Sequence, residues 1–225
     1  HLRMGDAPLA ASYTSPTNIA MDLLAAISAM DLRFIQEKDA EERVKEILKT
    51  LQEMRKYKGF FYNFYDTKKL AVTRQYISSV DNGWLAIALV VVRQAFEGKI
   101  SEDATEILEC FDFDQFIDPE NWQMVIGFDV PVRNFGSYHY GMLVSEARAM
   151  SLYAIGSGDV PEHHWWMLYR TPPEQWEWQN KKPQGKWREE PDLRYFQGYY
   201  QDGNKKFVPS WGGTLFEFLT LTIVI

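Results

Sequence analysis

The chain has a single cysteine, Cys110, among 225 residues. That excludes an intrachain disulfide and a cysteine-based zinc site. Lying near the end of an amphipathic run, Cys110 reads as a small buried hydrophobe. Basic stretches are also missing, and the formal net charge is −7. A nucleic-acid partner is therefore not expected, and a neutral or cationic ligand suits the chain better than a polyanion. Long hydrophobic runs are lacking too. The apolar end, Phe216 to Ile225, has about half the length of a membrane span. No segment reads as a secretory signal. The sequence "GSGD" at 156–159 does not have the spacing of a phosphate loop. No serine near His163 and His164 forms a nucleophile elbow. Those adjacent histidines are poorly spaced for two ligands on one helix face. Neither a metal nor an organic cofactor is expected.

Aromatic residues, in contrast, are abundant at 15%, with eight Trp, twelve Tyr and fourteen Phe. Many adjoin hydrogen-bonding groups, as in Phe60–Phe61–Tyr62–Asn63–Phe64–Tyr65–Asp66. Flat apolar faces beside polar groups suit sugar rings. A large aromatic core explains the same composition, and both readings stand at this level.

Periodicity divides the chain into helices. Thr14–Ser15–Pro16 opens the first, with a hydroxyl cap and Pro in the first turn. Ile19, Leu23, Ala26, Ile27 and Met30 follow at helical spacing. A second helix spans about 40–57, with Val44, Ile47, Leu48, Leu51 and Met54 on one face, and Lys58–Gly59 ends it. Residues 60–76 form an aromatic connection in which "YDTKKL" is a turn or short hairpin. The run 79–96 is apolar nearly all round, as a buried helix would be. Ser101 is expected to cap an amphipathic helix over 101–110, and further helices are expected over 140–155 and from Pro161. Residues 171–203 read as a long loop or small excursion, and an apolar helix over 210–225 closes the chain. Amphipathic helices (40–57, 101–110) thus alternate with apolar ones (16–35, 79–96, 210–225). That pattern predicts an all-α fold with buried inner and half-exposed outer helices. No fixed-period repeat is visible.

Five segments occur in one order: "TSPTNIAMDLLAAISAMDL" (14–32), "GFFYNFYDTKKL" (59–70), "ISSVDNGWLAIAL" (77–89), "HHWWMLYRTP" (163–172) and "PSWGGTLFEFL" (209–219). As an ordered set they resemble the bacterial glucoamylase-like domain family. That family includes endo-β-1,2-glucanases and the central domain of cyclic β-1,2-glucan synthases. The resemblance implies an (α/α)6 toroid, and residues 1–225 would form a single helical domain of that kind. With about seven helices the chain would supply only the toroid's first part. The apolar end Leu221–Ile225 would then need cover, from further chain or from self-association. The resemblance also implies hydrolysis or transglycosylation of a β-linked glucan, most closely β-1,2-glucan, in the periplasm or outside the cell.

Glycoside cleavage uses two carboxyl groups flanking the bond. Asp81, between a polar turn and an apolar helix, is one candidate. Its alternative role is an N-cap, worth about 1 kcal/mol. Glu217, in an apolar surround beside Gly212 and Gly213, is the other. Its Thr-x-x-Glu spacing from Thr214 equally fits a capping box. Asp66 is a candidate sugar contact or an Asx-turn acid. Glu146 lines a cleft or forms a structural ion pair. Arg170 clamps a ligand or fixes a loop. Tyr62, Tyr65, Trp84, Trp165, Trp166 and Trp211 are the stacking candidates, with Trp84 equally suited to the core. Trp165 and Trp166, adjacent on a helix, cannot both face one ligand.

Overall fold

The computed structural model describes residues 2–3, 9–191 and 193–224. The chain packs as two compact units. One comprises residues 1–112 and 127–136, the other 113–126 and 137–225.

The first unit is built on four helices: α1 (Pro16–Asp31), α2 (Glu37–Glu53), α3 (Ser79–Ala95) and α4 (Lys99–Leu108). Ser15 caps α1, its side chain accepting from the Asn18 N–H, and Pro16 takes the first turn, where its missing N–H costs nothing. Helix α3 buries residues on every side, including Leu85, Ala86, Ala88, Leu89 and Val92. Helix α2 buries one stripe, Ala40, Val44, Leu48 and Leu51. Accordingly α1 packs on α3, while α2 packs on α1 and α4 packs on both α2 and α3. Of the helices expected to be apolar and buried, α3 is buried nearly all round, whereas α1 exposes Ala25 and Ser28.

The aromatic connection is anchored to α3 by Asn82, which is fully buried. Its Oδ1 accepts from the Phe61 N–H at 2.8 Å, and its Nδ2 donates to the carbonyls of Phe61 and Ser78. Short antiparallel ladders complete the segment. Lys56–Tyr57 pairs with Phe60–Phe61, and Tyr76–Ser78 pairs with Gly127–Asp129. Gly127 has no substitute there, because a Cβ would collide with the Ile77 carbonyl and the Tyr76 hydroxyl.

The second unit holds α5 (Arg148–Ser157), α6 (His163–Met167) and α7 (Leu215–Leu219), with a long hairpin of Gln184–Glu190 against Leu193–Asp202. His164 ties this unit together. It is fully buried, with Nδ1 2.6 Å from the Trp122 carbonyl and Nε2 2.9 Å from the Ser151 hydroxyl. Burial holds its pKa below the ordinary imidazole value, outweighing the Trp122 carbonyl, which raises it, while neighbouring His163 lowers it further.

The all-α expectation is corrected: the fold is mostly helical with several small open sheets, not a purely helical toroid. Of residues 171–203, expected as a long loop or small excursion, 171–183 is irregular, but Gln184–Glu190 and Leu193–Asp202 are paired strands. Their cross-strand pairs, Trp187 opposite Phe196 and Arg188 opposite Tyr195, zip a hairpin whose alternation is masked by charged residues. Helix α5 starts at Arg148, because Met142 bridges to Tyr169 and residues 143–147 follow as bends and turns. Helix α4 begins at Lys99 after Gly98, which adopts φ 62. Ser101 instead donates to the Arg93 carbonyl at 3.1 Å. The C-terminal helix is short, with a 3-10 turn over Thr220–Ile223, and it exposes Leu215, Phe216 and Leu219. Cys110 is exposed, not buried.

Candidate functional site

In the first unit, the first turn of α3 presents a carboxylate. Ser78, not Asp81, is the N-cap, and its side chain accepts from the Asp81 N–H. Asp81 is therefore free to point its carboxylate elsewhere from the first turn, where the helix dipole favours negative charge. Its Oδ1 accepts from the Thr17 hydroxyl at 2.6 Å, and its Oδ2 accepts from Asn63 Nδ2 at 2.9 Å. That second bond fixes the Asn63 amide, since the opposite orientation would set two oxygens against each other. The buried Asn63 Oδ1 is left without a donor among the described residues. An unsatisfied buried acceptor costs about 1–3 kcal/mol. A water or a ligand hydroxyl would remove that cost.

Tyr76 and Asp129 belong to the same surroundings, and sequence reasoning missed both. They face each other across the ladder Tyr76–Ser78 against Gly127–Asp129. Burial holds the Tyr76 phenol above its ordinary value. Arg74, 4.8 Å from the ring centre, pulls it down, and the Asp81 and Asp129 carboxylates push it up. Their signal was hidden because they meet through a strand pairing between residues about fifty apart in sequence.

Tyr62, Tyr65 and Trp84 are 1%, 0% and 3% exposed. They are core rings with no face open to a ligand. The Tyr65 hydroxyl donates to the Arg55 carbonyl and accepts from the Tyr62 N–H, and burial pushes its pKa up. Asp66 is an Asx-turn acid. Its Oδ1 accepts from the N–H groups of Lys69 and Lys68, which lower its pKa.

In the second unit, a cavity of about 510 Å³ is lined by His139, Tyr140, Glu146, Tyr169, Trp176 and Trp211, among others. Two expected residues, Glu146 and Trp211, thus meet in one cavity. Trp211 is 38% exposed and packs edge-on against Tyr140, with ring centres 5.8 Å apart. His139 was not anticipated. Its Nε2 lies 2.8 Å from Asp118 Oδ2, an imidazole–carboxylate pair assembled from residues 21 apart. The cavity thus offers ring faces, a carboxylate and an imidazole, the usual furnishings of a polar ligand site.

Glu217 sits behind Trp211 in a closed turn. Its oxygens accept from the N–H groups of Gly212 and Thr214 and from the Thr214 hydroxyl, at 2.8–3.2 Å. Partial burial raises its pKa, but these bonds outweigh burial and hold the carboxyl below the ordinary glutamate value. The capping-box reading describes this geometry. The expected apolar surround is absent, because Leu215, Phe216 and Phe218 point to solvent. Asp81 and Glu217 belong to different units, so neither unit alone contains the expected pair.

Arg170 is 8% exposed and fixes its own loop. Its Nη1 donates to the carbonyls of Leu168, Trp166 and Trp165, and its guanidinium stacks on Trp166 and Tyr195. Trp166 is 41% exposed, whereas Trp165 is half-buried. One of the two indoles is thus available, as their adjacency requires. Among the described residues, no cluster of His, Cys, Asp and Glu is arranged to hold a metal, and no helix is long and apolar enough to cross a membrane.

Comparison with known proteins shows what the chain is similar to. The cyclic β-(1,2)-glucan synthase NdvB of Rhizobium meliloti (strain 1021) is 38% identical over 86 residues, which is 38% of this chain and 3% of the synthase. Among solved structures, the endo-β-1,2-glucanase from Chitinophaga pinensis superposes with a TM-score of 0.54 at 12% identity, over 69% of this chain and 40% of the glucanase. The β-1,2-glucanase from Parabacteroides distasonis gives 0.50 at 13% identity, over 64% of this chain and 22% of its own. At such identities the likeness is one of fold. The chain also spans well under half the length of these proteins. A family profile described as "Protein of unknown function (DUF3131)" matches residues 9–128. Covering more than half of the sequence, that match identifies the chain as a member of the DUF3131 family.

Proposed function

We propose that this chain is the carbohydrate-acting part of a glycosidase or transglycosylase whose substrate is a β-linked glucan, most closely β-1,2-glucan. The observation that carries the reading is the Asp81 carboxylate, held at both oxygens by Thr17 and Asn63 on a turn matched by the "SVDNG" motif. The fold shared with two β-1,2-glucanases and the local identity to a β-1,2-glucan synthase support that choice of substrate class. Accepting at both oxygens, Asp81 is arranged to take a proton from water or to attack. A separate acid must serve the leaving oxygen. Glu217, held ionised by its turn, does not suit that role. Instead it shapes the turn that presents Trp211. Trp211, Glu146 and His139 supply the sugar contacts in the second unit. On this reading the chain meets its polymer in the periplasm or outside the cell. The exposed apolar side of α7 is where further chain or a second copy would pack.

A second reading, a non-catalytic glycan-binding module, is favoured by one observation: Glu217 is fully engaged within its own turn. Incubating the chain with β-1,2-, β-1,3- and β-1,4-glucans and resolving products by chromatography separates the two. Shorter β-1,2-linked products support the enzyme. Binding without products supports the module, and neither binding nor products rejects both.

A further inference from the structure

The second unit contains another cavity, of about 370 Å³, between the segment 166–175 and the hairpin 184–202. Its walls are rings backed by guanidinium groups. Trp166 and Tyr195 lie 5.1 Å apart, and the Arg170 guanidinium sits 5.2 Å from one ring centre and 5.1 Å from the other. Because Arg170 is buried and anchored on three carbonyls, it locks both rings in place. On the hairpin, Trp187 is 57% exposed, with Phe196 beside it at 5.5 Å and the Arg194 guanidinium 4.6 Å from its centre. Gly198 lets the hairpin seat closely, since a Cβ there would collide with the Thr171 hydroxyl.

Tyr169 lines both this cavity and the one containing Trp211. It is 39% exposed and meets Trp176 edge-on at 6.4 Å, and Trp178 follows at 6.0 Å. Two ring-lined cavities of one unit thus adjoin at Tyr169, which lines both. Exposed indole faces beside guanidinium donors fit pyranose rings, which stack through C–H faces and accept bonds at their hydroxyls.

We propose that the hairpin cavity is a second glycan subsite, continuous through Tyr169 with the Trp211 cavity, so that one extended glucan chain occupies both. This inference rests on the glucan reading above and adds a length requirement: long chains are held better than short ones. Its test is titration calorimetry with β-1,2-linked glucan oligosaccharides graded from the disaccharide upward, using the wild type, Trp187→Ala and Trp187→Phe. For the wild type, affinity should rise with chain length. Trp187→Ala should weaken the longest oligosaccharide about fivefold and shorter ones less, flattening that rise, and Trp187→Phe should restore most of it. Thermal unfolding checks that both variants fold, and a variant that does not fold is replaced by Arg194→Ala, expected to flatten the rise in the same way. A wild type without length dependence, or variants that keep it in full, would overturn the subsite. If the wild type also cleaves β-1,2-glucan in that case, the proposed function survives. A wild type that neither binds nor cleaves any glucan overturns both.

Discussion

The Thr17 hydroxyl donates to Asp81 Oδ1 at 2.6 Å, joining the first turns of α1 and α3. One hydrogen bond thus links two motifs, "TSPTN" and "SVDNG", that lie 64 residues apart. It also orients the one carboxylate of the first unit proposed to react.

Thr17→Val keeps the volume but removes that donor. A hydrogen bond to a charged group is worth about 1.5–3 kcal/mol. We expect kcat/KM on the cleaved glucan to fall at least about tenfold, with Thr17→Ser restoring most of it. Reducing-end kinetics on the three proteins would show this. A valine variant with wild-type kinetics would remove Thr17 from the site.

Asn82 stands beside Asp81 in the motif but acts structurally. Asn82→Leu would leave the Phe61 N–H and two carbonyls without their partner. The expected loss, measured by urea unfolding, is about 3 kcal/mol or more. Comparable stability of variant and wild type would show that the aromatic connection is held by other contacts.

Legibility in the sequence followed the range of the contacts. Helices α1 and α2 were readable because their burial repeats every three to four residues, α3 because its apolar run is nearly continuous, and caps such as Ser15 and Thr214 act locally. The Glu217 capping box was visible as a spacing for the same reason. Tyr62 and Tyr65 misled because a polar neighbour marks a stacking ring and a hydrogen-bonded core ring alike. The hairpin 184–202 was hidden by Lys, Arg and Glu on strands that bury little. His139–Asp118 and Tyr76–Asp129 were invisible because strand pairing, not sequence spacing, brings them together.

Glu217 gives a pH prediction. Its folded pKa is depressed, so its stabilisation is present above the unfolded value of about 4.3 and is lost as pH falls through the folded value. The wild type should unfold at a higher temperature than Glu217→Gln at neutral pH. The two melting temperatures should converge as pH drops below about 4. A constant gap across that range would mean that the turn does not depend on the charge.

His164 has the same sign at a higher pH. Its folded pKa is depressed, so the unfolded chain takes up the proton first, near pH 6.5. Stability should decline from there downward until the buried imidazole itself protonates. His164→Gln, which keeps polar atoms in the pocket, should lack that decline even if it is less stable throughout. Melting curves from pH 8 to 5 would test it, and parallel curves for the two proteins would contradict the buried neutral imidazole.

The most direct measurement compares wild type and Asp81→Asn for new reducing ends released from β-1,2-glucan, with thermal unfolding confirming that both are folded. Cleavage by the wild type and its loss by at least about a thousandfold in the variant, roughly 4 kcal/mol of transition-state stabilisation, is the expected result. Equal cleavage by both proteins, or none by a folded wild type, would contradict the assignment of Asp81 as the reactive carboxylate.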